Sequence, residues 1–227
     1  MTPTGGPALV ERLRRLDAAS VSDALDAAGR PGVLTGIRRL WPGPALAGPV
    51  ITVALVPAEA APPRPVHLGA AAIGAAQPGD VIVVDNGGRV DCGSWGGLLT
   101  LAAVQRGVAG VVTHGACRDV DEAQALGFPV FGLAATPLTA RGRVAEHSTG
   151  TVVDIAGVVV RTGDLLIADG SGAVVIPAAD APAVITAAES IVAREAVMAD
   201  RLRSGVPAAA VLGTGYEDML RAGGPGS

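Results

Sequence analysis

The sequence predicts a single mixed α/β domain, and three observations carry that expectation. Short Val/Ile/Leu runs of strand length alternate with Ala-rich stretches of helical character, the pattern of strands joined by helical crossovers. Apolar residues make up 49% of the 227 residues and charged residues only 17%, enough to fill one buried core. One turn also recurs: Gly79-Asp80-Val-Ile-Val-Val-Asp85 returns as Gly163-Asp164-Leu-Leu-Ile-Ala-Asp169, with Gly88 and Gly172 at the same offset. Two copies are too few for a solenoid and mark two equivalent turns that open strands. No internal linker interrupts residues 1–205, and a Gly/Ala/Pro-rich tail, a docking arm or a loose end, occupies 206–227.

The elements follow in order. Leu9, Val10, Leu13 and Leu16 recur at helical spacing, and residues 17–20 read as a break. Ser20-Val-Ser-Asp23 fits the capping-box pattern before a short helix that stops at Gly29. Residues 50–56 form an apolar run of strand length, and residues 67–76 read as a helix ending before Pro78-Gly79, which places His67 on that helix. Residues 81–84 are the next strand. Residues 97–106 read as a helix closed by Gly107, and residues 108–113 as a strand whose end delivers His114-Gly-Ala-Cys-Arg-Asp119. A short strand follows at 129–133, and residues 144–177 are β-rich, with runs at 152–155, 158–160, 165–168 and 173–176. Asp180 then caps a long helix that runs to about Arg203, with Pro182 in the first turn, where a missing N–H costs nothing. Its apolar stripe is Val184, Ala188, Ile191 and Met198, while Glu189 and Asp200 read as a solvated face.

Composition removes several function classes. All 17 basic residues are arginines, so Schiff-base chemistry, PLP attachment and a P-loop lysine are excluded. A net charge of −4 and 2% aromatic residues offer neither an electrostatic footprint nor a stacking platform, so no nucleic-acid partner is expected. No G-x-G-x-x-G follows a strand, which leaves a nucleotide cofactor without support. Cys92 and Cys117 are expected to be reduced thiols. The long uncharged stretch at 40–58 is broken by Pro42, Pro44, Pro49 and Pro57, so no membrane span is expected. The start, MTPTGGPALVERLRRLD, turns charged before any apolar run develops, and a cytoplasmic location is expected.

Polar side chains concentrate at one strand-to-loop junction, Thr113-His-Gly-Ala-Cys-Arg-Asp-Val-Asp-Glu122. Arg118 offers a planar fork for a small carboxylate, and Asp119 beside it could hold Mg²⁺ or Mn²⁺, which need few protein ligands. The same pair could simply cap the next helix. Gly93-Ser-Trp-Gly-Gly-Leu-Leu99 precedes a helix, so its backbone amides suit an anion or a tight turn alone. His67 and His147 read as structural and surface residues. His114 shares the polar junction with Arg118, where it either orients neighbours or works as an acid or base. Cys117 reads as a small buried residue.

Four segments in order, PGDVIVVDNGGR, WGGLLTLAAVQRGVAGVV, HGACRDVDE and GDLLIADGSGAVVIP, resemble the RraA-like family over about residues 10–180. That family contains 4-hydroxy-4-methyl-2-oxoglutarate aldolases and the regulator of ribonuclease activity A, and its members are often mislabelled as menaquinone methyltransferases. The resemblance implies a β/β/α swivelling-domain sandwich with mixed sheets, a homotrimer or homohexamer, and sites at subunit interfaces. It implies a metal-dependent lyase in which Arg118 binds the pyruvyl portion, Asp119 supports the metal, and the backbone of Gly96, Gly97, Leu98 and Leu99 receives the carboxylate. Without lysine, C–C cleavage of a small 2-oxo acid needs a metal as Lewis acid to stabilise the pyruvate enolate, and oxaloacetate decarboxylation shares that enolate. Two positions depart from the aldolases: Gly97 stands where they carry an acidic residue, and His114 where many members carry Asp or Asn. His114 is therefore expected to take over part of the proton handling. The alternatives are a non-catalytic regulator acting by protein–protein contact, or a divergent biosynthetic enzyme with an altered substrate.

Overall fold

The computed structural model describes residues 6–61 and 67–213. Two short helices, α1 (Pro7–Leu13) and α2 (Ala18–Ala27), precede strands β1 (Arg38–Arg39) and β2 (Leu46–Pro57). Helix α3 (Ala70–Ala75) leads into β3 (Val81–Trp95), followed by α4 (Gly97–Arg106), β4 (Gly110–Cys117), α5 (Val120–Ala125), β5 (Val130–Gly132) and β6 (Ala134–Ala135). Strands β7 (Val144–Thr149), β8 (Val153–Ile155), β9 (Val158–Val160), β10 (Leu165–Ala168) and β11 (Ala173–Ile176) come next. The long helix α6 (Ala181–Arg203) and the short α7 (Ala208–Val211) close the described chain. No helix among the described residues is long and apolar enough to cross a membrane.

One nine-stranded mixed sheet runs in the order β1-β5-β4-β3-β2-β10-β11, with β6 on β4 and β7 on β2, and β8–β9 form a separate hairpin. Strands β2, β3, β4 and β5 are mutually parallel because each connection between them crosses over through helical segments. The short β6 also runs parallel to β4, and the remaining pairs are antiparallel. Alternation sorts the side chains of β3: Ile82 and Val84 enter the core beneath α3, α4 and α5, whereas Val81 and Val83 face the core shared with the hairpin. A third core joins α1, α2 and α6 to one face of β10 and β11. The mixed α/β domain expected from sequence is thus the observed one.

The repeated turn is structural in both copies. Asp80 Oδ2 accepts the Gln77 amide at 2.8 Å and Asp164 Oδ2 the Arg161 amide at 2.8 Å. At the far strand ends Asp85 Oδ1 accepts from Gly87 and Asp169 Oδ1 from Ser171. Burial pushes the Asp80 carboxyl above its ordinary range, with the Gln77 amide opposing the shift. Cys92 and Cys117 are free and buried, and burial pushes the Cys117 thiol strongly up.

Several elements differ from expectation. Helix α2 begins at Ala18, capped by Asp17, whose Oδ1 accepts the Ser20 amide at 2.8 Å; Ser20 instead donates its hydroxyl back to that carboxylate. Helix α3 starts only at Ala70, so His67 sits in the loop before it. Strand β3 continues through three register shifts to Trp95, well beyond its apolar run. Asp180 holds the cap position of α6 without a side-chain capping bond and contacts Arg30 at 3.4 Å. Glu189 is not simply solvated: both its oxygens accept from Arg12, at 2.8 and 2.7 Å, tying α6 to α1. Helix α7 extends order past residue 205, and residues 214–227 of the tail lie outside the described residues.

This packing makes two substitutions informative. A Cβ on Gly48 would collide with the backbone carbonyl of Gly79, which cannot swing aside. Gly48→Ala is expected to cost about 1–3 kcal/mol or more in chemical denaturation, the range for overpacking. The hydrogen bonds from Arg12 hold the Glu189 carboxyl below its ordinary range. A depressed folded-state pKa adds stability above the unfolded pKa and loses it as pH falls through the folded one. Glu189→Gln should therefore melt below wild type at neutral pH, and the two melting curves should converge in acid below the carboxylate range.

Candidate active site

A cleft of 270 Å³ opens where the ends of β3 and β4 meet the start of α4. Its floor is apolar and rigid. Trp95 is 2% exposed, stacks on Phe128 with ring centres 6.5 Å apart, and donates its indole N–H to Thr100 Oγ1 at 3.0 Å. Ser94 and Thr113, fully buried between β3 and β4, share a 2.6 Å hydroxyl pair, and Ser94 donates onward to the Ala116 carbonyl. The chain leaves β4 at Arg118, whose amide donates to the Trp95 carbonyl at 2.9 Å, and turns through Asp119 in the left-handed region at φ 56°. Non-glycine residues rarely adopt this conformation, and aspartate is among those enriched in it.

That turn sets Arg118 and Asp119 side by side at the first turn of α4. Asp119 Oδ2 accepts the Gly97 amide at 2.9 Å, and its Oδ1 lies 3.9 Å from Arg118 Nη2. The Arg118 stem lies flat on Gly93, where a Cβ would stand 2.5 Å from Cγ. Arg118 Nε is buried and has no acceptor among the described residues, so an inner edge of the guanidinium awaits one. The first intrahelical bond of α4 runs from Thr100 to Gly96, which leaves the Leu98 and Leu99 amides ahead of it. Of the backbone segment expected to receive a carboxylate, Gly97 thus already serves Asp119, while Leu98 and Leu99 retain their donors.

The structure brings Arg118, Asp119, Gly96, Gly97, Leu98 and Leu99 together along the cleft, but not His114. Distance along β4 separates it, since His114 lies four positions, about 13 Å of extended chain, short of Arg118 at the strand's end. His114 pairs across the sheet with Asp85 and follows Val112 on the face of the hairpin core, opposite the side on which Trp95 and Cys117 pack. Its Nδ1 stands 3.4 Å from Asp85 Oδ1 without hydrogen-bond geometry. The expected proton handling by His114 therefore has no geometric basis within this cleft. Three polar residues that sequence reasoning did not assign to the site do line it: His67, Thr139 and Arg141. No motif marks them, since two loops distant in sequence deliver them; the sole pointer was the residue type of His67.

Gly97 also has a structural reason to be glycine. A Cβ there would meet the Glu122 carboxylate, which lies against the α4 N-terminus next to Asp119. Because Glu122 is exposed and flexible, Gly97→Ala should displace it and unfold within about 0.5 kcal/mol of wild type. Gly93→Ala must instead push the Arg118 stem away and should cost about 1–3 kcal/mol in the same denaturation assay.

Fold and cleft define a mixed α/β protein with an arginine–aspartate pair at the start of a crossover helix. The profile of the RraA-like family (Aldolase/RraA) matches residues 18–175, and the chain belongs to that family. The protein DlpA of Legionella pneumophila is 36% identical over 171 residues, covering 75% of this chain and 28% of DlpA. A 4-hydroxy-4-methyl-2-oxoglutarate aldolase of Thermus thermophilus is 37% identical over 102 residues, 44% of this chain and 60% of that one. This chain thus spans less than two thirds of the length of either relative. Streptomyces coelicolor RraAS2, described as an unusual member of the RNase ES inhibitor RraA protein family, superposes with a TM-score of 0.76 at 30% identity, covering 84% of this chain and 95% of that one.

Proposed function

We propose that the cleft cleaves a carbon–carbon bond in a small 2-oxo acid with a divalent cation, Mg²⁺ or Mn²⁺, as an aldolase, an oxaloacetate-type decarboxylase, or both. The observation that carries this reading is the unsatisfied Nε edge of Arg118 beside the Asp119 carboxylate, at a helix start with free amides. The relative from Thermus thermophilus, by its name, supports the reaction class.

Asp119 fits a hard cation. One oxygen is fixed by the Gly97 amide and the other keeps lone pairs 3.9 Å from Arg118, on a side chain 34% exposed. No group of three His, Cys, Asp or Glu that could hold a metal occurs among the described residues. A single carboxylate suits Mg²⁺ or Mn²⁺, which complete their shells with water and substrate oxygens. When bound, such a cation supplies Lewis acidity toward the 2-oxo oxygen. Arg118 clamps the neighbouring carboxylate through its fork, and the Leu98 and Leu99 amides stabilise negative charge that develops beside the helix start. With no lysine in the chain, a Schiff-base route is closed.

A homo-oligomer, trimer or hexamer, belongs to the same proposal. Leu98, 86% exposed on the cleft rim, and Leu101, 43% exposed one turn on, give a neighbouring copy an apolar surface to cover. The same leucines suit a heterologous protein partner, which is the observation favouring a regulatory reading.

Pyruvate release from oxaloacetate and from 4-hydroxy-4-methyl-2-oxoglutarate tests the reaction, with spontaneous decay subtracted. Release should require Mg²⁺ or Mn²⁺, stop with chelator and with Asp119→Ala, and fall about 10–150-fold in kcat/KM with Arg118→Ala, the worth of a hydrogen bond to a charged group. No metal-dependent release from either substrate would pass the case to the regulatory reading or to a divergent enzyme.

A further inference from the structure

Cleavage to pyruvate leaves a carbanion-equivalent at C3 that must gain a proton, and the cleft offers few donors. Its ionisable lining residues are His67, Arg118, Asp119 and Arg141. Arginine stays protonated at any working pH, and an ionised carboxylate only accepts. Asp119 is moreover engaged by the Gly97 amide. Among the described lining residues His67 remains, and imidazole is the side chain that exchanges protons near neutrality.

We propose that His67 is the general acid that protonates the enolate, a proposal that rests on the lyase reading above. His67 Nδ1 lies 2.9 Å from the Leu68 carbonyl oxygen. A carbonyl only accepts, so Nδ1 carries the hydrogen and Nε2 is the nitrogen left to exchange protons. The wall bearing this ring is fixed from behind. The Gly69 amide donates to Glu146 Oε2 at 2.7 Å, and Glu146, 3% exposed, also accepts from Thr149 Oγ1 at 2.7 Å. Gly69 is left-handed at φ 78°, and a Cβ there would stand 3.3 Å from the Trp95 ring, so the loop lies directly against the cleft floor. His67 itself is exposed, which opens a route for reprotonation from bulk water.

The step balances without an external reagent. The Nε2–H proton passes to C3, the C2–C3 π pair forms the new C–H bond, and the enolate oxygen lone pair restores the C2 carbonyl. The neutral imidazole then recovers a proton from solvent.

The test follows hydrogen–deuterium exchange at the pyruvate methyl group by NMR, using the full chain with Mg²⁺ in D₂O, alongside pyruvate release. His67→Asn should slow both by about 10²-fold or more, the usual share of a general acid. It should leave KM and the binding of oxalate, a planar mimic of the enolate, within about two-fold by calorimetry, since general acid–base work does not set ground-state binding. Added imidazole should restore part of the exchange in His67→Ala. Wild type that releases pyruvate while His67→Asn exchanges equally fast would overturn the role of His67 and leave the lyase reading standing. So would loss in His114→Asn rather than in His67→Asn. Wild type inert in both assays would remove the lyase reading, and His67's role with it.

Discussion

A side chain forced to φ 56° carries about 1–3 kcal/mol of strain, and a fold keeps such a residue only where its surroundings over-determine it. At Asp119 the compensating contact is the hydrogen bond from the Gly97 amide to Oδ2, at 2.9 Å. A bond to an ionised acceptor returns about 1.5–3 kcal/mol, so strain and bond nearly cancel. What remains is geometry. The left-handed turn stops β4, starts α5, and holds the carboxylate over the first turn of α4. Removing that bond would let the backbone relax, and Arg118, one residue upstream, would lose the alignment that sets it beside Asp119.

The remaining architecture fixes the two partners of that bond. Helix α4 is tied to the floor beneath it, where Trp95 stacks on Phe128 and donates to Thr100. The chain has few aromatic residues, and two of them serve this floor. Elsewhere small residues let backbones approach: Gly132 leaves room for the Thr113 methyl, and Gly115 for Asn86. Bulk is concentrated under the site, and the sheet around it is thin and closely set.

Local signals were legible in the sequence, and long-range ones were not. The repeated Gly-Asp turn, the Gly107 helix stop and the Arg118-Asp119 junction are set by nearest neighbours, and all stand where the residues placed them. His114 misled because four residues along an extended strand span about 13 Å, so a residue near Arg118 in sequence, and of the same parity, still falls short of the cleft at the strand's end. His67 was hidden for the converse reason: a carboxylate on β7 anchors its loop across the cleft, and no spacing along the chain encodes that contact. Ser20 lost the cap by competition, since Asp17 and Ser20 are both good capping residues and the carboxylate took the amide.

The electrostatics of the cleft bear on the choice between enzyme and regulator. A surface shaped for protein contact gains from exposed apolar residues such as Leu98 but gains nothing from an inner guanidinium nitrogen with no acceptor among the described residues. A buried donor of this kind favours a partner, and a bound anion is one that would satisfy it. Two arginines and a helix start face the Asp119 carboxylate in the cleft wall, while the Glu122 carboxylate lies beside it against the α4 N-terminus. On the proposed reading, protein contact at the leucine rim and chemistry at the cleft floor would act at different depths, so one does not exclude the other.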